Sequence, residues 1–267
     1  MTHVSAFRRL HQGPGVLRLP NAWDAVSARL FEQAGASAIA TTSAGVAWAL
    51  GYRDGRSLPV EEALGVAQRI VRVAKGPVSI DIENGYADDP EQVARTVARL
   101  VSLGVAGINI EDGPDDPALL AAKIRAIREM LAVAGADLFI NARTDVILAD
   151  LVEPSLQVEE TIRRGLQYAA AGADGLFVPG ARDEVDIEEI ARRVALPLNV
   201  MAWPDLAPAA TLARLGVRRL SAGSAIPQLA WGAAEFAAKS FLETGESEPL
   251  LAGAKQFGQV QQLFPAA

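Results

Sequence analysis

One local pattern recurs along the chain and limits what it can fold into. A helical segment ends at glycine, one or two small residues follow, and a short apolar run begins. It reads AGASAIATT from Ala34, LGVAGINIED from Leu103, AGADLFINAR from Ala134, AGADGLFVPG from Ala171 and LGVRRLSAG from Leu215. Glycine closes a helix at least cost because it accepts left-handed torsions. An apolar run that starts immediately afterwards reads as a strand buried on both faces, as in a parallel sheet. The runs VLRLP from Val16, PVSIDI from Pro77 and LPLNV from Leu196 bring the strands to eight. Between them, residues 60–74, 91–103, 117–133 and 158–171 space their apolar side chains by three and four, as amphipathic helices do. Eight strands alternating with helices predict a single (β/α)8 TIM barrel, with a doubly wound sheet as the second arrangement. A length of 267 residues suits one such barrel, and no Ser/Gly/Pro-rich linker divides it, so residues 1–267 read as one domain. A helix over 227–242, a polar connection ETGESEP and an amphipathic helix from 250 to about 263 complete the chain.

Composition narrows the chemistry. The chain has no cysteine, and its two histidines, His3 and His11, fall within the first eleven residues. Disulfides, zinc–thiolate sites, iron–sulfur clusters and thiol nucleophiles are therefore excluded. A Ser-His-Asp triad or a His-rich metal site is disfavoured. The formal charge is −7, from 25 basic and 32 acidic side chains with no basic run, so neither nucleic acid nor an anionic membrane is an expected partner. Residues 33–52 carry no charge, but Gly35, Gly45, Gly51 and many Ser, Thr and Ala make them a strand and small-residue loop rather than a membrane helix. The first residues, MTHVSAFRRLHQGPG, lack the long apolar stretch of a secretory signal, and a cytoplasmic location is expected.

In such barrels the active site forms at the C-terminal ends of the strands. Polar residues at those positions are Thr42 and Ser43 (with Ala44), then Asp81, Glu83 and Asn84, then Asn109, Glu111 and Asp112, then Asn141, Arg143 and Asp145, and finally Asn199. Alternation along a strand puts Asp81 and Glu83 on one side. Acids gathered at one mouth raise each other's pKa, and a divalent ion removes the conflict. An all-oxygen donor set favours Mg²⁺ or Mn²⁺. The alternative is that these acids pair with Arg143 and backbone amides as rim salt bridges. A metal beside an arginine suits a 2-oxo or 2-hydroxy carboxylate chelated through adjacent oxygens. Arg143 offers the two-point carboxylate contact that lysine does not. The backbone N–H groups of Thr42-Ser43-Ala44-Gly45 suit the other end of the anion.

The segments PNAWDAVSARLFEQAG from Pro20, TTSAGVAWALGYRDG from Thr41, DIENGYAD from Asp81, GINIEDG from Gly107, INARTD from Ile140 and AGADGLFVPG from Ala171 resemble the isocitrate lyase/phosphoenolpyruvate mutase superfamily across nearly the whole chain. The resemblance implies a barrel whose last helix, here within 248–264, is exchanged between subunits of a homotetramer. It implies a metal held by Asp81 with Asp54, Glu83 and Glu111 around it, some through water. It further implies that Arg143 binds the substrate carboxylate, that Thr42, Ser43 and Ala44 hold the pyruvyl end, and that Asn199 lies at the far side of the site. The departures are specific. Isocitrate and methylisocitrate lyases carry a KKCGH- or KRCGH-type loop with a working cysteine, whereas GPDDPALLAAKI follows Glu111-Asp112 here. Position 40, often Trp or Tyr in the family, is Ala40. The expected activity is thus Mg²⁺-dependent C–C cleavage of a small 2-oxo or 2-hydroxy carboxylate through a metal-stabilised enolate, most simply decarboxylation of an oxaloacetate-like acid. Arg143, Glu111 and Tyr86 are its expected catalytic residues, with Tyr86 or water as the acid. A 2-oxo acid binding barrel without catalysis, and a phosphonopyruvate hydrolase or mutase, stand as alternatives.

Overall fold

A computed structural model describes residues 2–264. The chain runs α1 (His3–Leu10), β1 (Leu17–Leu19), β2 (Asn21–Ala22), α2 (Ala25–Gln33), β3 (Ile39–Thr41), α3 (Ser43–Ala49), α4 (Val60–Val73), β4 (Val78–Asp81), α5 (Pro90–Ser102), β5 (Gly107–Glu111), α6 (Pro117–Val133) and β6 (Phe139–Arg143). It continues through α7 (Gln157–Ala171), β7 (Gly175–Phe177), α8 (Glu184–Arg193), β8 (Leu198–Met201), α9 (Ala209–Arg214), β9 (Val217–Ser221), α10 (Ala225–Thr244), α11 (Glu248–Leu251) and α12 (Phe257–Gln261). Every strand pairing is parallel, in the order β1-β9-β8-β7-β6-β5-β4-β3-β2. This is the expected (β/α)8 TIM barrel.

Nine ladder segments appear where eight strands were expected, because the first strand is divided at Pro20. Proline has no N–H to give the ladder. The chain therefore pairs with β9 before Pro20 (Leu17 opposite Arg219) and with β3 after it (Asn21 opposite Ala40), and one extended run closes the barrel. The glycines that follow the repeating helices adopt positive φ, from 61° at Gly135 to 106° at Gly172, as the recurring pattern implied.

Alternation separates two environments. Ile108, Ile110, Ile80, Ile140, Leu176 and Val200 face the surrounding helices in the main core. The opposite faces fill the barrel, and its lower end is closed by α1. There Phe7 packs edge-on against Phe139 at 5.3 Å, and His11 stacks on Phe139 at 4.2 Å. Gly107 makes room for this plug, since a Cβ there would lie 2.8 Å from the Phe7 ring. Above the plug the filling is polar: Asn109, Asn141, Asn199 and Arg219 are all buried. Branched aliphatic residues usually dominate such barrel layers. A polar layer instead ties the fold to whatever lies above it.

The tail departs from expectation. Instead of one helix over 248–264, two short helices, α11 and α12, flank a break at Gly253, whose φ is +77°. A left-handed residue inside the apolar pattern stops the helix. No helix among the described residues is long and apolar enough to cross a membrane.

Candidate active site

The strand ends surround a cavity of about 220 Å³ walled by Asn21, Thr42, Ser43, Ala44, Asp54, Asp81, Asn109 and Arg143, with Phe177, Met201, Trp203 and Ser221 completing it. Its position follows from topology. Asp81 ends β4 and Arg143 ends β6, while Ser43 opens α3 directly after β3. The cavity is smaller than the roughly 300–1,000 Å³ of sites for drug-sized ligands. A small acid fits.

Thr42 caps α3, and its hydroxyl accepts a bond from the Gly45 N–H at 3.5 Å. The Ser43 N–H points to Asp81 Oδ2 at 3.4 Å, and the Glu83 N–H donates to Asp81 Oδ1 at 3.2 Å. Burial pushes the Asp81 carboxyl up, Arg143 opposes the shift, and Asp54 adds to it. Glu83 is also raised, mainly by burial. One oxygen of Glu83 accepts from the Arg56 N–H, while its Oε1 is buried without a partner among the described residues. Burial pushes Glu111 up to about 8 against the pull of Arg143, whose Nη1 stands 2.8 Å from its Oε2.

Arg143 is held from two sides. Besides Glu111 it meets Asp145 through Nε at 2.6 Å and Nη2 at 3.1 Å. Its pKa is raised, burial being outweighed by Glu111 and Asp145, so it is a permanent cation on the cavity wall. Arg143 is thus an ion-pair partner that also lines the cavity.

Of the residues expected from sequence, Thr42, Ser43, Ala44, Asp54, Asp81 and Arg143 come together around this space. Glu111 reaches it through its ion pair with Arg143. Glu83 lies behind Asp81. Tyr86 is not on the cavity wall: it lines an adjoining recess that shares Ser43 and Asp81 with the cavity, and burial holds its phenol well above the usual range. Asn199 is not on the wall either. It is fully buried one layer below, bonded to Asn141 at 3.0 Å and Ser221 at 3.1 Å. Asp112 faces away from the mouth, where Arg164 (2.9 Å) and the Tyr168 hydroxyl (2.6 Å) donate to it.

Sequence reasoning missed several contributors. Met201 ends β8 and Trp203 lies in the loop after it, where only Asn199 had been singled out. Buried Lys123 donates to the Asn84 carbonyl at 2.9 Å and fastens the Asp81–Tyr86 turn from below. That turn needs fastening: Glu83 and Tyr86 sit at φ +50° and +62°, which costs non-glycine residues energy. Gly85 within it leaves no room for a Cβ, which would lie 2.6 Å from Val93. A lysine on an amphipathic helix carries no sign of this role in sequence.

The donor set suits a hard divalent ion. Three buried carboxyls are raised together, and the partnerless Glu83 oxygen is surplus negative capacity that a cation would use. Among the described residues, however, no three His, Cys, Asp or Glu side chains are grouped tightly enough to hold an ion by themselves.

Known proteins resemble the chain over most of its length. The phosphoenolpyruvate phosphomutase family profile matches residues 7–242. An oxaloacetate decarboxylase from Ectopseudomonas mendocina is 34% identical over 233 residues, covering 83% of this chain and 78% of that protein. An uncharacterized Mycobacterium tuberculosis protein is 38% identical, covering 91% of each. A solved structure described as a putative phosphonomutase, from Burkholderia cenocepacia, superposes with a TM-score of 0.84 at 40% identity, covering 89% of this chain and 99% of that one. With its fold, its mouth cavity and this match over most of its length, the chain belongs to the phosphoenolpyruvate mutase family within the isocitrate lyase/phosphoenolpyruvate mutase superfamily of enzymes.

Proposed function

We propose that the protein is a Mg²⁺-dependent carbon–carbon lyase of small 2-oxo carboxylates, and that decarboxylation of oxaloacetate or a close analogue is its reaction. The observation that carries this is one small cavity walled by both a raised, buried carboxyl, Asp81, and a permanent guanidinium, Arg143, in a chain without cysteine. Asp81 would hold the ion, with Asp54, Glu83 and Glu111 reaching it through water, as suits an ion that keeps much of its hydration. The bound ion would supply Lewis-acid polarisation of the 2-oxo group. Arg143, fixed by Glu111 and Asp145, orients the carboxylate beside that group. Thr42, Ser43 and Ala44 close the small end of the cavity and limit the substrate to a few carbons. The C–C bond to the departing carboxylate breaks, its electron pair passes toward the 2-oxo oxygen, and CO₂ leaves without needing a protonated leaving group. Water entering from the mouth returns a proton to carbon, since Tyr86 lines the adjoining recess and not the wall of this cavity. Decarboxylation therefore asks for no thiol acid.

Incubating the Mg²⁺-loaded protein with a panel of 2-oxo and 2-hydroxy acids tests the reading; oxaloacetate should give pyruvate and CO₂ well above the spontaneous rate. Absence of turnover with every acid, while the acids still bind, would overturn it. Identity of 40% to a protein described as a putative phosphonomutase favours a second reading, C–P chemistry, which would release phosphate or form phosphoenolpyruvate from phosphonopyruvate in the same assay.

The assembly proposed is a homotetramer, a dimer of two dimers that each exchange their C-terminal segments. In support, α10 to α12 leave large apolar side chains exposed: Leu229 and Phe236 at 74%, Leu242 at 83% and Phe257 at 80%. Such a surface marks an interface on a soluble protein. Light scattering on the full chain and on a chain truncated after 244 should give a tetramer and a smaller species; a full-length monomer would refute the assembly.

A further inference from the structure

Beneath the mouth cavity lies a positive charge that none of the acids above it touches. Arg219 sits on β9, where the register slips: Leu198 faces Val217 but the next residue, Asn199, faces Arg219. The extra residue, Arg218, is a β-bulge, and bulges re-aim side chains. Here the slip turns Arg219 into the barrel, where it is 0% exposed. Its Nη2 donates to Asn109 Oδ1 at 3.2 Å and its Nε to Ser221 Oγ at 3.4 Å, while Nη1 has no partner among the described residues. No carboxylate forms an ion pair with it among those residues. A buried charge with neutral neighbours is costly and calls for a reason.

The chemistry of arginine supplies one. A guanidinium only donates, so the Asn109 amide must turn its oxygen toward Arg219. Asn141 Nδ2 donates to that same oxygen at 2.9 Å, which fixes the orientation twice. The Asn109 Nδ2 is thereby turned away from the network. It has no partner among the described residues and is not sealed from solvent, and Asn109 is part of the cavity wall. The other two asparagines of the layer are not free in this way: Asn141 and Asn199 spend their donors inside it.

We infer that Asn109 is a substrate-binding residue whose amide N–H takes an anionic oxygen of the ligand at the cavity floor, and that buried Arg219 is the positioning residue that holds the amide in that orientation. The floor thus offers a donor, backed by positive charge, opposite to the acids at the rim. This divides the site electrostatically: cation-seeking oxygens at the top, anion-seeking N–H at the bottom. A ligand with anionic or carbonyl oxygens on two adjacent carbons would present one to an ion held by the rim acids and the other to the floor N–H, whereas a simple monocarboxylate reaches only one of them. The inference rests on the lyase reading above and assigns that site a further specificity contact.

The test is calorimetric titration of oxalate, whose adjacent carboxylates present such oxygens, into the full chain saturated with Mg²⁺, with melting temperature measured alongside. Asn109→Asp keeps the size of the side chain and can pair with Arg219, but replaces the donor by an acceptor. The expected result is an unchanged or higher melting temperature together with at least a tenfold weaker oxalate affinity. Arg219→Met removes one of the two donors to Asn109 Oδ1 and the positive charge behind the amide, and a tenfold loss of affinity is expected with a melting temperature near the wild-type value; Arg219→Lys should restore part of the affinity. Wild-type affinity in folded Asn109→Asp and Arg219→Met overturns the inference, as does a loss of affinity that merely follows a loss of stability. Turnover of 2-oxo acids by the wild type separates the two claims. If the wild type turns over and the variants bind oxalate normally, only the role of the floor falls. If the wild type neither binds oxalate nor consumes any 2-oxo acid, the lyase reading falls and takes the inference with it.

Discussion

Replacing Asp112 by alanine probes the scaffold that holds Arg143. The Asp112 side chain is fully buried and receives three donors: Arg164 Nη1 at 2.9 Å, the Tyr168 hydroxyl at 2.6 Å and the Asp145 N–H at 2.9 Å. Removing one partner of a buried ion pair typically costs about 3–5 kcal/mol, because the other charge is left uncompensated. Arg164 keeps Glu160 at 2.7 Å, so the low end of that range applies. With roughly 2–4 °C of melting temperature per kcal/mol for a chain near this size, a cost of about 3 kcal/mol lowers Tm by roughly 6–12 °C. Asp112→Asn keeps an acceptor for Tyr168 but not the charge, and should cost less. Arg164→Met in the alanine background removes the stranded cation and should recover part of the loss. Differential scanning calorimetry and urea unfolding of the three variants measure these differences. A change in Asp112→Ala of under about 0.5 kcal/mol, the usual size for a surface substitution, would refute the reasoning. The same variant should reduce catalytic efficiency, since Asp145, which grips Arg143, loses the acceptor of its own N–H.

Three further outcomes follow from the structure. His11 is held down to about 3 by burial and by Arg219, with its Nδ1 donating to the Phe7 carbonyl at 2.8 Å. Between the unfolded value near 6.5 and that folded value the unfolded chain binds a proton and the native one does not, so stability falls as pH falls, by about 1.4 kcal/mol per unit well inside that window. Urea unfolding at pH 7 and 5 should show a loss of about 2 kcal/mol that His11→Gln abolishes, and an NMR titration of His11 near 6.5 would contradict it. Arg143→Lys keeps the charge but not the fork, and kcat/KM should fall about tenfold to a hundredfold with the fold intact; an unchanged value would dismiss the two-point contact. Gly85→Ala places a methyl 2.6 Å from Val93 Cγ1 at a φ of +93°, and should cost on the order of 1–3 kcal/mol while weakening Mg²⁺ binding through the displaced Asp81–Tyr86 turn; thermal melts with and without Mg²⁺ measure both.

The barrel was legible because its signal is repeated: a glycine, small residues and an apolar run come back at five helix ends, and Gly35, Gly104, Gly135, Gly172 and Gly216 all have the positive φ the pattern needs. The mouth was legible in part for the same reason, since strand ends could be located to within a residue and Asp81, Arg143 and Ser43 follow from that placement. What escaped reading depends on register. Asn199 and Arg143 are both polar residues near strand ends, yet the first is a layer lower, because staggered strands bring Phe177 beside both. Arg219 escaped because simple alternation from Val217 would turn it outward, and only the bulge turns it inward. The placement of Tyr86 in the adjoining recess follows a turn with three positive-φ residues, Glu83, Gly85 and Tyr86, which no strand or helix periodicity describes. The tail helix was overdrawn because its apolar spacing persists across Gly253, where the backbone does not.

The most direct measurement is the rate of CO₂ release from oxaloacetate by chelator-treated protein, before and after Mg²⁺ is restored, in the wild type and in Asp81→Ala. The account predicts that the wild-type rate returns with Mg²⁺ and that Asp81→Ala stays at the spontaneous rate while remaining folded. Equal rates with and without Mg²⁺, or full activity in Asp81→Ala, would contradict it.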